Sequence, residues 1–139
     1  MPDKATVIEN LDRHTGRLSD RVWSVSVGVI AVSMTYVVES AANREPFLTP
    51  AEVAPAAGLA LLALLADLLQ YLAAIRQNLG LLRTMEREGR AEMTFDTRAA
   101  AYQLRSAAYW SKLALCVAAT AWIVAVSAAR VVELMEANP

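Results

Sequence analysis

Cysteine and histidine are almost absent from this chain of 139 residues, which has one of each. The single cysteine, Cys116, excludes a disulfide within the chain and any metal cluster built on several cysteines. The single histidine, His14, lies ahead of the first apolar run, so we do not expect a haem held inside a bilayer by the chain's own histidines. The sequence therefore predicts no metal site and no cofactor.

An excess of charge and a catalytic motif are also lacking. Thirteen basic and fourteen acidic residues nearly cancel, to a formal net charge of −1, which removes the case for a nucleic-acid partner. No nucleophile stands beside a candidate base, and there is no glycine-rich phosphate loop. We therefore predict that the protein is not an enzyme and does not bind nucleic acid.

Long apolar runs are what the sequence does have. Nearly all charged residues lie outside three windows, which are residues 22–38, residues 53–75 with Asp67 as the one charge, and residues 113–129. At about 1.5 Å per residue, each run is long enough for a hydrocarbon layer of about 30 Å if the flanking side chains reach outwards. Helices that are apolar on every face leave no surface for water, which argues against a soluble three-helix bundle.

The predicted fold class is thus an all-α integral membrane protein with three long transmembrane helices in a single domain, 1–139. We expect helix 1 at about 6–42, helix 2 at about 50–89 and helix 3 at about 96–134, with a cytoplasmic helical extension between helices 2 and 3. Thr49, Pro50 and Glu52 form a typical helix start, and Gly89 a typical stop. Thr94 or Asp96 is the expected cap of the third helix.

The distribution of basic residues predicts the orientation. The four segments outside the runs carry four, one, seven and one Lys or Arg, in chain order. This alternation places the N-terminus and the long connection in the cytoplasm and the C-terminus outside, in a bacterial-type cytoplasmic (inner) membrane. The 21 residues before the first run are too long and too acidic for the n-region of a typical signal peptide, so we expect that run to be retained.

A line of polar residues follows helix 1 at intervals of seven: Asp12, Ser19, Ser26, Ser33 and Ser40. A seven-residue spacing keeps side chains on one side of a slightly supercoiled helix. Such a line fits the wall of a conduction pathway, but small hydroxyl residues also let helices pack closely in a membrane. We favour the packing role.

Helix 2 carries a small-or-polar stripe at spacings of three and four, made up of Ala60, Ala63, Asp67, Gln70, Ala74 and Gln77. A charged carboxylate in hydrocarbon costs roughly 2.5 to 3.5 kcal/mol on insertion scales, so Asp67 should be neutral, paired or hydrated. Lys112 starts the third span near the boundary that Arg76 marks for the second, so an ion pair with Asp67 would require the lysine side chain to reach inwards. A Ser, Thr or water partner is an equal alternative. Asp67 is accordingly either an ion or proton site or a contact between helices.

Two further features complete the set of candidates. Helix 3 has a regular series of small residues that predicts a packing face: Ala107, Ser111, Ala114, Ala118, Ala121, Ala125 and Ala128. The segment after the second run carries Arg76, Arg83, Arg87 and Arg90, interleaved with glutamates. These arginines suit anionic lipid headgroups or a partner, although a solvated, salt-bridged hairpin is the simpler interpretation.

Three helices cannot readily enclose a polar path, so the sequence predicts assembly: self-association or binding to other membrane subunits, in contact with the lipid bilayer. Our first hypothesis is a homo-oligomeric channel or pore for ion transport, with Asp67 and Gln70, or Ser26, Ser33 and Ser40, facing its axis. The alternative is an accessory or anchor subunit of a larger, possibly energy-transducing, membrane complex. A third hypothesis is a small transporter with Asp67 as its coupling carboxylate.

Overall fold

The computed structural model describes residues 4–42, 44, 46–89 and 100–137, with the backbone alone for residues 4–15 and for Leu81. Within those residues the chain forms three helices: α1 (Lys4–Ala41), α2 (Pro50–Glu88) and α3 (Ala100–Ala137). Each of them contains a stretch long and apolar enough to cross a membrane. The prediction of an all-helical membrane protein with three candidate spans is thus supported.

The start of α2 is fixed by hydrogen bonds that the sequence predicted. Thr49 is in an extended conformation and accepts a hydrogen bond from the backbone N–H of Glu52, while the Glu52 carboxylate accepts one from the backbone N–H of Thr49 at 2.6 Å. This reciprocal pair satisfies two N–H groups that a helix start otherwise leaves free. It ends the connection from α1 sharply at Pro50.

Gly89 ends α2. Its φ of 62° is left-handed, and its N–H donates to the carbonyl of Met85. An L side chain is strained in this conformation, whereas glycine adopts it freely. The expected stop at Gly89 is confirmed. The expected cap at Thr94 or Asp96, and with it the predicted start of helix 3, lies outside the described residues.

The helices run up, down and up. Lys112 contacts Asp67 and Trp122 contacts Glu52, so α2 and α3 are antiparallel. Lys112 also contacts Ser19 and Cys116 contacts Val22, so α1 and α3 are parallel. We call the end of the bundle where α1 and α3 begin and α2 finishes the basic end, and the end that holds residues 42–49 the turn end. The pair α2 and α3 packs most extensively, and α1 and α3 contact each other least.

Small residues fill the interior. Ala56, Ala60 and Ala63 of α2 are fully buried, which lets the helix backbones approach closely. The large side chains of α2 face outwards instead, among them Leu61, Leu65, Leu68 and Leu72, each about half exposed. In a membrane this outer surface would meet lipid.

Candidate functional site

A buried polar contact joins all three helices. Lys112 Nζ of α3 lies 2.5 Å from Asp67 Oδ1 of α2, and Ser19 Oγ of α1 donates to the same carboxylate oxygen at 2.6 Å. Lys112 Nζ also donates to Ser19 Oγ, at 2.7 Å. We call these three residues the polar triad. Each member contacts the other two, so the triad connects the helices pairwise.

Burial makes the pairing of the triad energetically important. Lys112 is 0% exposed and Asp67 8%. Removing two charges from water is costly, and only close mutual contact with additional hydrogen bonds offsets the cost. Ser19 supplies such a bond, and the ring of Tyr109 lies 5.4 Å from Lys112 Nζ, within cation–π range. The lysine therefore has a partner on each neighbouring helix.

The triad lies near one edge of the apolar part of the bundle. Ser19 and Lys112 both precede the uncharged runs of their helices, 22–38 and 113–129. Asp67 lies about 25 Å along α2 from its start at Pro50, at about 1.5 Å per residue. Within the apolar run 53–75, Asp67 lies closer to the middle than to either end, so the sequence alone suggests a deeper position in the bundle. Helix register brings the carboxylate instead to the level where the other two helices become polar.

The serines of the seven-residue line in α1 face into the bundle. Ser19, Ser26 and Ser33 are buried, with Ser26 and Ser33 each 1% exposed, and Ser40 is half-buried. Ser33 Oγ donates to the carbonyl of Val29 one turn back in its own helix, at 2.8 Å. Burial within one protomer fits the packing role of this line. The side chain of Asp12, at its start, lies outside the described residues.

The α2 stripe also faces inwards. Gln70 and Gln77 are half-buried on the side of Asp67 towards the basic end. Their Oε1 atoms and Ser26 Oγ are buried without a hydrogen bond to any described protein group. The sequence placed Asp67 and Gln70 on one face correctly. The structure additionally turns that face towards the other two helices.

The series of small residues on α3 that we predicted as a packing face lies on the outside of the bundle. All seven members of the predicted series are exposed, and we call them the alanine face: Ala107, Ser111, Ala114, Ala118, Ala121, Ala125 and Ala128. The buried residues of α3 are instead Ala108, Lys112, Cys116 and Ala119. A shift of one residue rotates a helix face by about 100°. That rotation is what points Lys112 at Asp67.

Lys112 is the residue that sequence reasoning underrated. It was recognised as a possible partner of Asp67, but as a boundary residue whose side chain would have to reach inwards. The signal was available in the spacing of Ala108, Lys112, Cys116 and Ala119, which places a lysine on a face of otherwise small, uncharged residues. A cation on such a face needs a buried carboxylate, and Asp67 is the one intramembrane candidate in the sequence.

The arginines after the second run lie along the outer surface at the basic end. Arg76, Arg83 and Arg87 are exposed, and Arg90 lies outside the described residues. Arg76 is closest to the apolar part of α2, about 13 Å beyond Asp67 at about 1.5 Å per residue. These residues do not join the polar triad.

The chemistry available to the triad is that of a structural ion pair. Within the part of the chain that the structure describes, no group of three or more His, Cys, Asp or Glu could hold a metal ion. Each polar atom of Lys112 and Ser19 is directed at a neighbour within the protomer. The arrangement therefore fixes three helices relative to one another.

The chain was compared with protein-family models, with characterised proteins and with solved structures, and none of the three comparisons gave a match.

Proposed function

We propose that this protein is an accessory or anchor subunit, which acts by packing the alanine face of α3 against another membrane-embedded chain. The observation that carries the proposal is the position of that face on the outside of the three-helix bundle. The polar triad holds α3 in the orientation that presents it.

Helix association in a membrane depends on close packing, because lipid tails are as apolar as leucine. Small residues permit that packing, as Ala56, Ala60 and Ala63 do inside the protomer. The alanine face extends along α3 from residue 107 to residue 128, yet it contacts neither α1 nor α2 closely enough to be buried. In the most apolar stretch of α3, 11% of the residues are buried inside the bundle, compared with 22% in the corresponding stretches of α1 and α2. Most residues of this part of α3 are therefore accessible to a partner.

The same geometry is less favourable to a channel built from the polar residues we first considered. Asp67 and Ser26 are buried inside one protomer. Turning the Asp67 line towards the axis of a ring would separate the carboxylate from Lys112 and leave a buried charge without its partner, which costs several kcal/mol. Turning the serine line would remove Ser19 from its hydrogen bonds with both charged side chains. For this reason we prefer the accessory subunit to the homo-oligomeric channel.

Cysteine cross-linking in native membranes tests the proposal. In a Cys116→Ser background, Ala118→Cys places a thiol on the alanine face. The matched control is Ala31→Cys, at an exposed alanine near the middle of the apolar run of α1. We expect a short bifunctional thiol- and amine-reactive reagent to give a discrete adduct with the first variant and none with the control.

The mass of the adduct separates the hypotheses. An adduct with a different protein supports the accessory subunit, and Ala121→Leu on the same face should abolish it. An adduct at twice the 15.0 kDa of the chain would replace our proposal with self-association. Ion flux through liposomes containing the purified protein would then decide whether that assembly is a channel. If both variants gave the adduct equally, or if neither gave one, a specific interface at the alanine face would be refuted.

A further inference from the structure

A shallow groove runs between α2 and α3 at the basic end of the bundle. It has a volume of about 270 Å³ and is lined by Leu69, Leu72, Ala73 and Arg76 of α2 and Leu104 of α3. Ala73 is 3% exposed and forms the floor, while the three leucines are each about half exposed. Ligand pockets for drug-sized molecules have roughly 300 to 1,000 Å³. The groove is thus apolar, open to the outside and suited to one narrow chain.

The depth of the groove along α2 matches the boundary between lipid chains and headgroups. From Pro50, Leu69 lies about 28 Å and Arg76 about 39 Å along the helix, at about 1.5 Å per residue. The hydrocarbon layer is about 30 Å thick, and about 40 to 45 Å with its headgroup regions. With the capped start of α2 at Pro50 taken as one edge of the hydrocarbon, Leu69 and Leu72 lie at its other edge, and Arg76 lies at the level of the phosphates.

Arg76 supplies the positive charge of the groove. It is exposed, and no described carboxylate oxygen lies within ion-pair distance of it. Asp67, the nearest acidic residue of α2 on the membrane side, is paired with Lys112. Lys112 is fully buried and cannot serve as a second cation for a ligand at the surface. The groove therefore offers one guanidinium beside an apolar surface, as a ligand with one anionic group and a hydrocarbon chain requires.

We propose that this groove binds an anionic glycerophospholipid. One acyl chain lies against Leu69, Leu72 and Leu104, and Arg76 donates hydrogen bonds to the phosphate. A planar guanidinium is suited to bidentate contact with phosphate oxygens. The site differs from general attraction of lipid to a basic segment, because it combines one particular arginine with the apolar groove next to it.

Arg83 provides a matched control. It is also exposed and lies seven residues after Arg76 on nearly the same face of α2. At about 1.5 Å per residue it is about 10 Å further from the membrane, and it does not line the groove. A general electrostatic effect would involve both arginines, whereas the proposed site involves Arg76.

The test is native mass spectrometry of the full-length protein in detergent, titrated with phosphatidylglycerol and with phosphatidylcholine of identical chains. We expect the unmodified protein to bind its first phosphatidylglycerol more tightly than its first phosphatidylcholine. Arg76→Gln should weaken phosphatidylglycerol binding roughly 5-fold, the effect of one basic residue near anionic lipid, and should remove the preference. Arg83→Gln should leave both affinities within about twofold of the unmodified protein. Far-UV circular dichroism checks that helix content is retained.

A second variant and a soluble ligand test the apolar part. Leu104→Gln makes the rim of the groove polar. It should weaken the binding of both lipids while keeping the preference for phosphatidylglycerol. Glycerol phosphate, which has the anionic group without the chains, should not compete at concentrations that saturate the lipid site. The proposal is overturned if the unmodified protein shows no preference, if Arg76→Gln and Arg83→Gln weaken binding equally, if Leu104→Gln leaves both affinities unchanged, or if glycerol phosphate displaces the lipid.

Discussion

Lys112 and Asp67 form an ion pair between α3 and α2, with 2.5 Å between Nζ and Oδ1 and with the lysine completely buried. Ser19 of α1 forms a hydrogen bond with each member of the pair. Because the contact involves every helix, it fixes both the rotation and the register of the bundle.

Removing either charge alone should destabilise the bundle far more than removing both. Asp67→Leu leaves a buried lysine unpaired and Lys112→Met leaves a buried carboxylate, so each should lower the free energy of unfolding by about 3 to 5 kcal/mol. The double variant leaves no unpaired charge and should cost much less than the sum of the single variants. Unfolding in mixed micelles, followed by far-UV circular dichroism, measures the three values.

The pair of Arg130 and Glu133 is the control for the charge effect. It has a similar N–O distance of 2.8 Å, but both side chains are exposed. Arg130→Gln should therefore cost no more than about 1 kcal/mol. If the double variant of Asp67 and Lys112 lost as much stability as the two single variants together, the buried ion pair would not be the source of their effects.

Ser19→Ala should lower the free energy of unfolding by about 1.5 to 3 kcal/mol, because the hydroxyl donates a hydrogen bond to a charged, buried acceptor. Ser24→Ala is the matched control. Ser24 is exposed and donates to the carbonyl of Asp20 in its own helix, so its loss should change stability by less than about 0.5 kcal/mol. Equal effects of the two substitutions would contradict a special role for Ser19.

At the turn end, the indole N–H of Trp122 donates to the carbonyl oxygen of Glu52 at 2.8 Å, which joins α3 to the first turn of α2. Trp122→Phe keeps the aromatic ring but removes the donor, and it should cost about 0.5 to 1.5 kcal/mol. Trp110 is 66% exposed, and Trp110→Phe should have a smaller effect. Hydrogen exchange at the amides of Val53, Ala54 and Ala56 provides a local readout, with faster exchange expected in Trp122→Phe alone. Unchanged exchange there would show that this hydrogen bond does not hold the start of α2.

Two glycines of α2 should respond to alanine with opposite signs. Gly89 has a left-handed φ of 62°, so Gly89→Ala should destabilise the end of the helix by about 1 kcal/mol. Gly80 lies inside the helix, and a Cβ added there meets nothing within 4 Å. Gly80→Ala should therefore stabilise the helix by roughly 0.5 to 1 kcal/mol. Thermal unfolding of the two variants compares them directly, and a shift in the same direction for both would contradict the cap assignment.

The sequence by itself determined the three helices and the ends of α2. Segregation of charge from apolar residues identifies the candidate spans because a bilayer excludes charge over a known thickness. The Thr49 capping box and the Gly89 stop were predictable because caps are local: each depends on residues within a few positions of one another. The placement of Asp67 and Gln70 on one face followed from helix periodicity for the same reason.

Only the tertiary structure decided what the helix faces contact. Periodicity gives a series of residues on one side of a helix, but not the direction in which that side points. α3 had two adjacent candidates for burial, the alanine face and the face with Lys112, about 100° apart. The ion pair with Asp67 selects the second, since a buried carboxylate and a buried lysine each require the other. That selection leaves the alanine face on the outside and brings Ser19, which lies 48 residues from Asp67 in the chain, into contact with it.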